Sequence, residues 1–225
     1  MIYVMRWCVG LVLLVTACLL SACTGLSVQR NTAAVNVEQG RFAPATVAAI
    51  AAARQQGITL HLEVLPASAW TALEASPAIP VGRATGQPAK VYVIFDANCP
   101  YCADLYRWLQ GDAFRGISMR WAPVAFMKQD SAAIADVILA ANDPSKALDD
   151  YFRTNDLKSD KGYELPSFVM QAKHAQDYTG LMHHLREWGG YAPMIIIRTP
   201  AGEVLQVHHD KGEALRLALG LAAAQ

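Results

Sequence analysis

The 225-residue chain carries 19 basic and 19 acidic residues, so its formal charge at neutral pH is zero, and it shows no basic stripe or phosphate-cradling glycine loop. Both facts argue against a nucleic-acid partner. At 53% hydrophobic and 17% charged it has apolar mass for one or two globular domains with a sizeable core, and nothing in it is repeated or low in complexity.

Residues 1–22 read as a secretory signal. Met1 to Arg6 carries one positive charge, Trp7 to Leu20 is apolar except for Gly10 and Thr16, and small residues follow. An apolar run of about 14 residues is short of the roughly 20 that a spanning helix needs, which favours a cleaved signal over a permanent anchor. Leu20-Ser21-Ala22-Cys23 resembles the bacterial lipobox, in which the cysteine thiol receives a diacylglyceryl group before cleavage in front of it. The alternative is an ordinary signal peptide with a chance cysteine near its end. Thr24, with no aspartate at that place, resembles lipoproteins sent on to an outer membrane. Residues 23–43 are polar with few large apolar groups and are expected to form a flexible tether.

Residues 44–87 read as a small α/β appendage and linker. Pro44 to Gln56 has helical spacing, with Val47, Ile50 and Ala51 on one face and Gly57 as its stop. Ile58, Leu60, Leu62 and Val64 alternate with polar residues as in a half-buried strand, and His61 falls on the solvated side. A short helical piece covers Ala69 to Ala75, and the prolines and glycines from Ser76 to Pro88 predict a linker.

From residue 88 the pattern becomes that of a catalytic domain. Val91 to Phe95 is a β-branched and aromatic run, Asp96-Ala97-Asn98 is a turn, and Cys99-Pro100-Tyr101-Cys102 opens a helix through Leu105, Trp108 and Leu109. Asp96 is expected in the turn or as a cap, and Trp108 in the core. After Gly111 and Gly116, Ile117, Met119, Trp121 and Val124 form a second strand, so strand, helix and strand make a βαβ unit with parallel strands. Asp130 or Ser131 caps a helix bearing Ile134, Val137, Ile138 and Leu139; Asn142-Asp143-Pro144 ends it, and Ser145 restarts one through Tyr151 and Phe152. A polar break from Thr154 to Gly162 leads to a long helix, Ser167 to Trp188, which Gly189-Gly190 stops. Met194 to Ile197 and Val204 to Val207 form a hairpin around Thr199-Pro200-Ala201-Gly202, and Asp210 with Glu213 reads as a capping box for the last helix.

The cysteines sharpen this reading. Of five, Cys8 and Cys18 leave with the signal and Cys23 would be alkylated, so the mature chain keeps one free pair, Cys99 and Cys102. A two-residue loop restrains little of an unfolded chain, so the pair is better explained as a redox couple than as a staple. Cys99 sits at a helix start, where free N–H groups and the helix dipole favour a thiolate; in CxxC motifs such cysteines have pKa values of roughly 3.5 to 7 instead of about 8.5. Cys99 is therefore the expected nucleophile, being also the more exposed sulfur, and Cys102 the resolving thiol. Pro100 and Tyr101 set the helix start and the thiolate environment, and the chemistry requires no cofactor.

The order βαβ, helices, ββα is that of a thioredoxin-like α/β fold with a helical insertion at about residues 128–190. The segment from Val91 through Cys102 resembles the active-site segment of the periplasmic disulfide isomerase family of DsbG and DsbC, most closely the DsbG pattern, whose dipeptide is also Pro-Tyr. Ala132 to Pro144 resembles the first insertion helix of that family, Leu181 to Leu185 its last, and Gln56 to Leu60 its N-terminal start. The resemblance implies a periplasmic thiol-disulfide reductase or isomerase acting on exported proteins and kept reduced by a membrane electron donor of the DsbD type. It also implies a cis peptide bond at Ala192-Pro193, lying against the CxxC where an extended substrate can pair. Valine at position 93, where thioredoxins hold an acid, fits the DsbG-like pattern.

Two departures set limits. The family carries threonine where this chain has Ala192, and only about thirty residues separate Leu60 from Val91, too few for the curved dimerisation sheet of the family. A monomer or weak dimer is therefore expected. Competing readings are a DsbA-like oxidase, a thioredoxin-like lipoprotein reductase, a chaperone-like binding module, and a metal site combining the CxxC with His183-His184 or His208-His209; adjacent histidines that point apart leave metal the weakest of these.

Overall fold

The computed structural model of the chain describes residues 40–82, 86–154, 179–208 and 210–223. The signal, Cys23 and the first part of the helix expected from Ser167 lie outside the described residues. Those before Ala52 and those from Ala52 onward form two compact units. Helix α1 (Pro44–Gln55) runs across that boundary. It ends at Gly57, whose φ of +75° lets its own amide and that of Ile58 turn back onto the carbonyls of Arg54 and Ala53.

The second unit is built on a mixed sheet of six described strands. In chain order they are β1 (Leu62–Leu65), β2 (Ile79–Val81), β3 (Val91–Asp96), β4 (Met119–Val124), β5 (Met194–Arg198) and β6 (Val204–Val207). In space the order is β1-β6-β5-β3-β4-β2. β3 runs parallel to β4 and antiparallel to β5, and β5 is antiparallel to β6. Helix α2 (Ala67–Ala75) follows β1 and α3 (Pro100–Leu109) joins β3 to β4. Then α4 (Ser131–Ala140), α5 (Pro144–Thr154) and α6 (Thr179–Glu187) come between β4 and β5, and α7 (Glu213–Ala223) follows β6. A parallel β3-α3-β4 half, an antiparallel β5-β6-α7 half and helices inserted between them make a thioredoxin-like fold.

β3 is central and all six of its residues are buried, so its side chains feed two cores. Tyr92 and Ile94 join Trp70, Leu73, Leu185 and Ile196 on one side. On the other, Phe95 meets Trp121 and Phe152 edge-on at 5.5 and 5.8 Å between ring centres, and Tyr106 of α3 packs on Trp121 at 5.2 Å. Such pairs contribute about 0.5–1.5 kcal/mol each beyond burial, and here they fix α3 to the sheet. Arg107 adds a hydrogen bond to the Phe152 carbonyl at 2.5 Å.

The region expected as appendage and linker contributes both outer strands of this sheet. β1 begins at Leu62, later than the alternation suggested, and Val64, expected to be buried, is 38% exposed while Leu65 is buried. Ile79-Pro80-Val81, expected in a linker, is a strand paired to β4. Proline is tolerated there because an edge strand needs ladder hydrogen bonds on one side only. The capping box also fails to form: Glu213 is the first residue of α7 and its carboxylate binds Arg216 at 2.7 Å. Trp108 is half-buried against Phe114 at the end of α3 and does not reach the core.

Candidate active site

Cys99 occupies the N-cap of α3, with extended backbone at φ −83° and ψ 114°. Pro100 follows at the first helical position, where its missing N–H removes a donor that would have had no partner. The Cys99 sulfur takes the capping role that an oxygen usually fills, accepting from the Cys102 amide at 3.3 Å. The turn before it is held by the Cys99 amide on the Asp96 carbonyl at 3.0 Å.

The two sulfurs have opposite electrostatics. The Cys102 thiol hydrogen-bonds the Cys99 sulfur and holds the Cys99 pKa below that of an ordinary thiol; the amides of Cys102 and Tyr101 add to this, while burial and the Asp96 charge oppose it. Cys102 is pushed well above the ordinary value, chiefly by burial and then by its bond to Cys99. Both cysteines are free. Exposure does not separate them as expected, for Cys99 is 1% exposed and Cys102 is 0%. Hydrogen bonding at the helix start makes Cys99 the better thiolate. Its Sγ lies 3.5 Å from the Ala192 carbonyl oxygen, which helps to cover it.

The Ala192-Pro193 peptide bond is cis and stands directly before β5. Tyr101, Leu105, Tyr191, Ala192, Pro193 and Ile195 line a groove of about 660 Å³ beside the motif. Tyr101 is 73% exposed and projects into solvent at its edge. Thus Cys99, Cys102, Tyr101, Ala192 and Pro193 are brought together from two sequence regions, and Pro100 shapes the helix entry. Cys23 lies outside the described residues.

Asp96 does more than cap a turn. Fully buried, it accepts from the Asn98 amide at 2.9 Å, the Ser131 hydroxyl at 2.8 Å and the amides of Phe126 and Met127 at 2.8 and 3.0 Å. Asn98 in turn donates to Asp130 at 2.8 Å, so Asp130 at the N-cap of α4 makes no side-chain cap. One carboxylate therefore joins the CxxC turn, the segment after β4 and the start of α4. Asp96 was legible as a turn residue, but its long-range partners left no trace in sequence.

Neither cysteine belongs to a cluster of three or more metal-ligating side chains among the described residues. Such a cluster forms from His183, His184 and Glu187 on α6, whose ligand atoms lie within 4.8 Å of one another. Against the expectation that neighbouring histidines point apart, both rings turn to one carboxylate, at 3.5 and 3.1 Å. His209 lies outside the described residues. Sequence reasoning missed Tyr191 and Gln206: Tyr191 stands in a glycine-rich break and Gln206 in a strand, with no motif to mark either.

No family model matches the chain. Over 83 residues, 36% of the chain, it is 36% identical to the thiol:disulfide interchange protein DsbG of Pseudomonas aeruginosa. The match covers 32% of that protein, so the chain spans about a third of the length of the curated relative it matches. Among solved structures, a disulfide interchange protein from Neisseria gonorrhoeae is 18% identical with a TM-score of 0.44, over 65% of this chain and 96% of that one. Helicobacter pylori DsbG is 18% identical with a TM-score of 0.41, over 57% of this chain and 61% of that one.

Proposed function

We propose that this chain is a thiol-disulfide oxidoreductase that reduces or isomerises disulfides, and reduces oxidised cysteines, of exported proteins. The observation that carries the reading is the asymmetry of the pair: Cys99 caps α3 and accepts from the Cys102 thiol and, at 3.3 Å, from the Cys102 amide, which draws its pKa down, while Cys102 is fully buried, which pushes its pKa up. The partial similarity to a DsbG supports it. In the cycle, the Cys99 thiolate attacks one sulfur of a substrate disulfide, forming a mixed disulfide and expelling the other sulfur as thiolate. Cys102 gives up its proton and attacks Cys99, which releases the second substrate sulfur as a thiol and leaves a Cys99–Cys102 disulfide. A membrane donor of the DsbD type returns two electrons to that disulfide. In isomerisation the expelled substrate thiolate instead attacks the mixed disulfide and frees Cys99.

The test is reshuffling of a scrambled protein in a glutathione buffer. The intact chain is expected to accelerate it, Cys99→Ser to abolish the acceleration, and Cys102→Ser to accumulate a covalent adduct on Cys99. Acceleration that survives Cys99→Ser would remove the proposal and favour a thiol-independent binding module. A DsbA-like oxidase would instead be found oxidised in cells that hold the donor, where the proposed reductase is found reduced.

The setting belongs to the same proposal: a periplasmic lipoprotein carried on Cys23, in an outer membrane by the Thr24 cue, and monomeric or weakly dimeric. Cys23→Ser is expected to move the protein from the membrane to the soluble fraction; unchanged partitioning would contradict the anchor.

A further inference from the structure

The groove wall that Tyr191 forms is held by a chain of hydrogen bonds. Tyr191 directly precedes Ala192 and Pro193, and its hydroxyl accepts from Gln206 Nε2 at 3.0 Å while bonding His208 Nδ1 at 2.9 Å. His208 Nε2 stands 3.4 Å from the Glu63 carboxylate. Gln206 Nε2–H donates to the Tyr191 oxygen, and in the His208 tautomer that turns Nε2–H to Glu63 the Tyr191 hydroxyl donates to Nδ1. Gln206 is fully buried on β6, between β1 and β5, and holds the tyrosine through Nε2 while its Oε1 is buried without a hydrogen-bond partner. Beneath the ring is Gly189, with φ +127°; a Cβ there would meet the Tyr191 ring at 3.0 Å.

An exposed tyrosine is ordinarily a mobile side chain. Tyr191 is 37% exposed, yet it is held from below by Gly189 and at its tip by two partners on the next strand and its exit. Together with Leu105, Pro193, Ile195 and Val207 it gives the groove apolar walls, with Asp104, Asp210 and Lys211 also on the lining. The groove is of the size that takes small ligands or a few residues of an extended chain, within the usual 300–1,000 Å³.

We infer that Tyr191 is a specificity-determining residue, fixed by the Gln206–Tyr191–His208–Glu63 chain so that the groove selects extended polypeptides carrying an aromatic side chain next to the reacting cysteine. The inference rests on the proposed exchange chemistry, since the Cys99 sulfur and the groove share the Ala192 wall. The occupant is a peptide segment because the sulfur it brings must reach Cys99 while its neighbouring residue lies along the tyrosine. An aromatic neighbour fits because ring pairs gain from edge-to-face contact in addition to burial. A rigid wall keeps that gain, since no side-chain freedom is lost on binding. His208 and Gln206 are positioning residues, acting through the tyrosine.

The experiment uses the full chain with Cys102→Ser, so that mixed disulfides persist, and measures their formation with two disulfide-linked peptides that differ only in Phe or Gly beside the cysteine. Oxidised glutathione serves as a third substrate. The expected preference for the Phe peptide is about tenfold, equivalent to roughly 1.4 kcal/mol. Tyr191→Ala should bring the ratio close to one. Tyr191→Phe and His208→Ala should lower it part of the way, and His208→Asn, which can place an acceptor near the Nδ1 position, should restore it. A ratio that is near one in the parent, or unchanged in Tyr191→Ala, overturns the inference while leaving the exchange chemistry standing. Failure to react with oxidised glutathione as well overturns both. Because each variant is judged by a ratio of two rates, a general loss of activity does not imitate the result.

Discussion

At the scale of single residues, chemistry here depends on which donors reach which sulfur or oxygen. Asp96 is the clearest case. Four donors converge on its buried carboxylate, and such a group is stable only when it is so surrounded. Asp96→Asn keeps the size but turns an amide toward donors, leaving some unsatisfied at about 1–3 kcal/mol each. A loss of roughly 3 kcal/mol in the urea unfolding free energy is expected on that scale. The same change removes a charge that opposes ionisation of both cysteines, so the Cys99 pKa should fall further. Unchanged stability would show that the network contributes nothing to the fold.

At the scale of elements, the strand-turn-helix around the CxxC was legible because each signal is local. A β-branched run, a short turn, proline at the first helical position and a cysteine before it need no distant partner. The outer strands were not legible. Pro80 and its neighbours carry the composition of a linker and become β2 only because β4 offers a ladder; β1 takes its register from β6, so that Leu62 and Leu65 are buried and Val64 is not. The fixing of Tyr191 was hidden for the same reason, since its partners lie 15 and 17 residues away. Gly189 ties these levels together. Gly189→Ala adds a Cβ at a φ of +127° and at 3.0 Å from the Tyr191 ring, and should lower stability by about 1–3 kcal/mol, measured as a reduced urea midpoint. Tolerance of alanine there would show that the ring has room to move.

At the scale of the whole molecule, the strand that could have built a dimer is already used. β1 is joined to β6 inside the chain's own sheet, so among the described residues the open edges are β1 and β2, of four and three residues, with no separate dimerisation sheet beside them. Stable interfaces bury roughly 800 Å² per partner, more than such an edge presents. Sedimentation of the lipid-free protein at micromolar concentration is therefore expected to give a monomer, and a tight dimer would contradict it. A monomer leaves the CxxC accessible to oxidising enzymes, so some oxidase activity is expected beside reduction. What unites these scales is the division of labour between two sulfurs set one helical turn apart, and the pH dependence of thiolate absorbance tests it most directly. In the reduced protein, Cys99 should ionise below the ordinary thiol value of about 8.5 and Cys102 well above it. Cys99→Ser should remove the acidic step and, by taking away the Cys99 bond and charge, bring the Cys102 step down part of the way, burial still holding it above the ordinary value. Two thiols ionising together near the ordinary value would contradict the account.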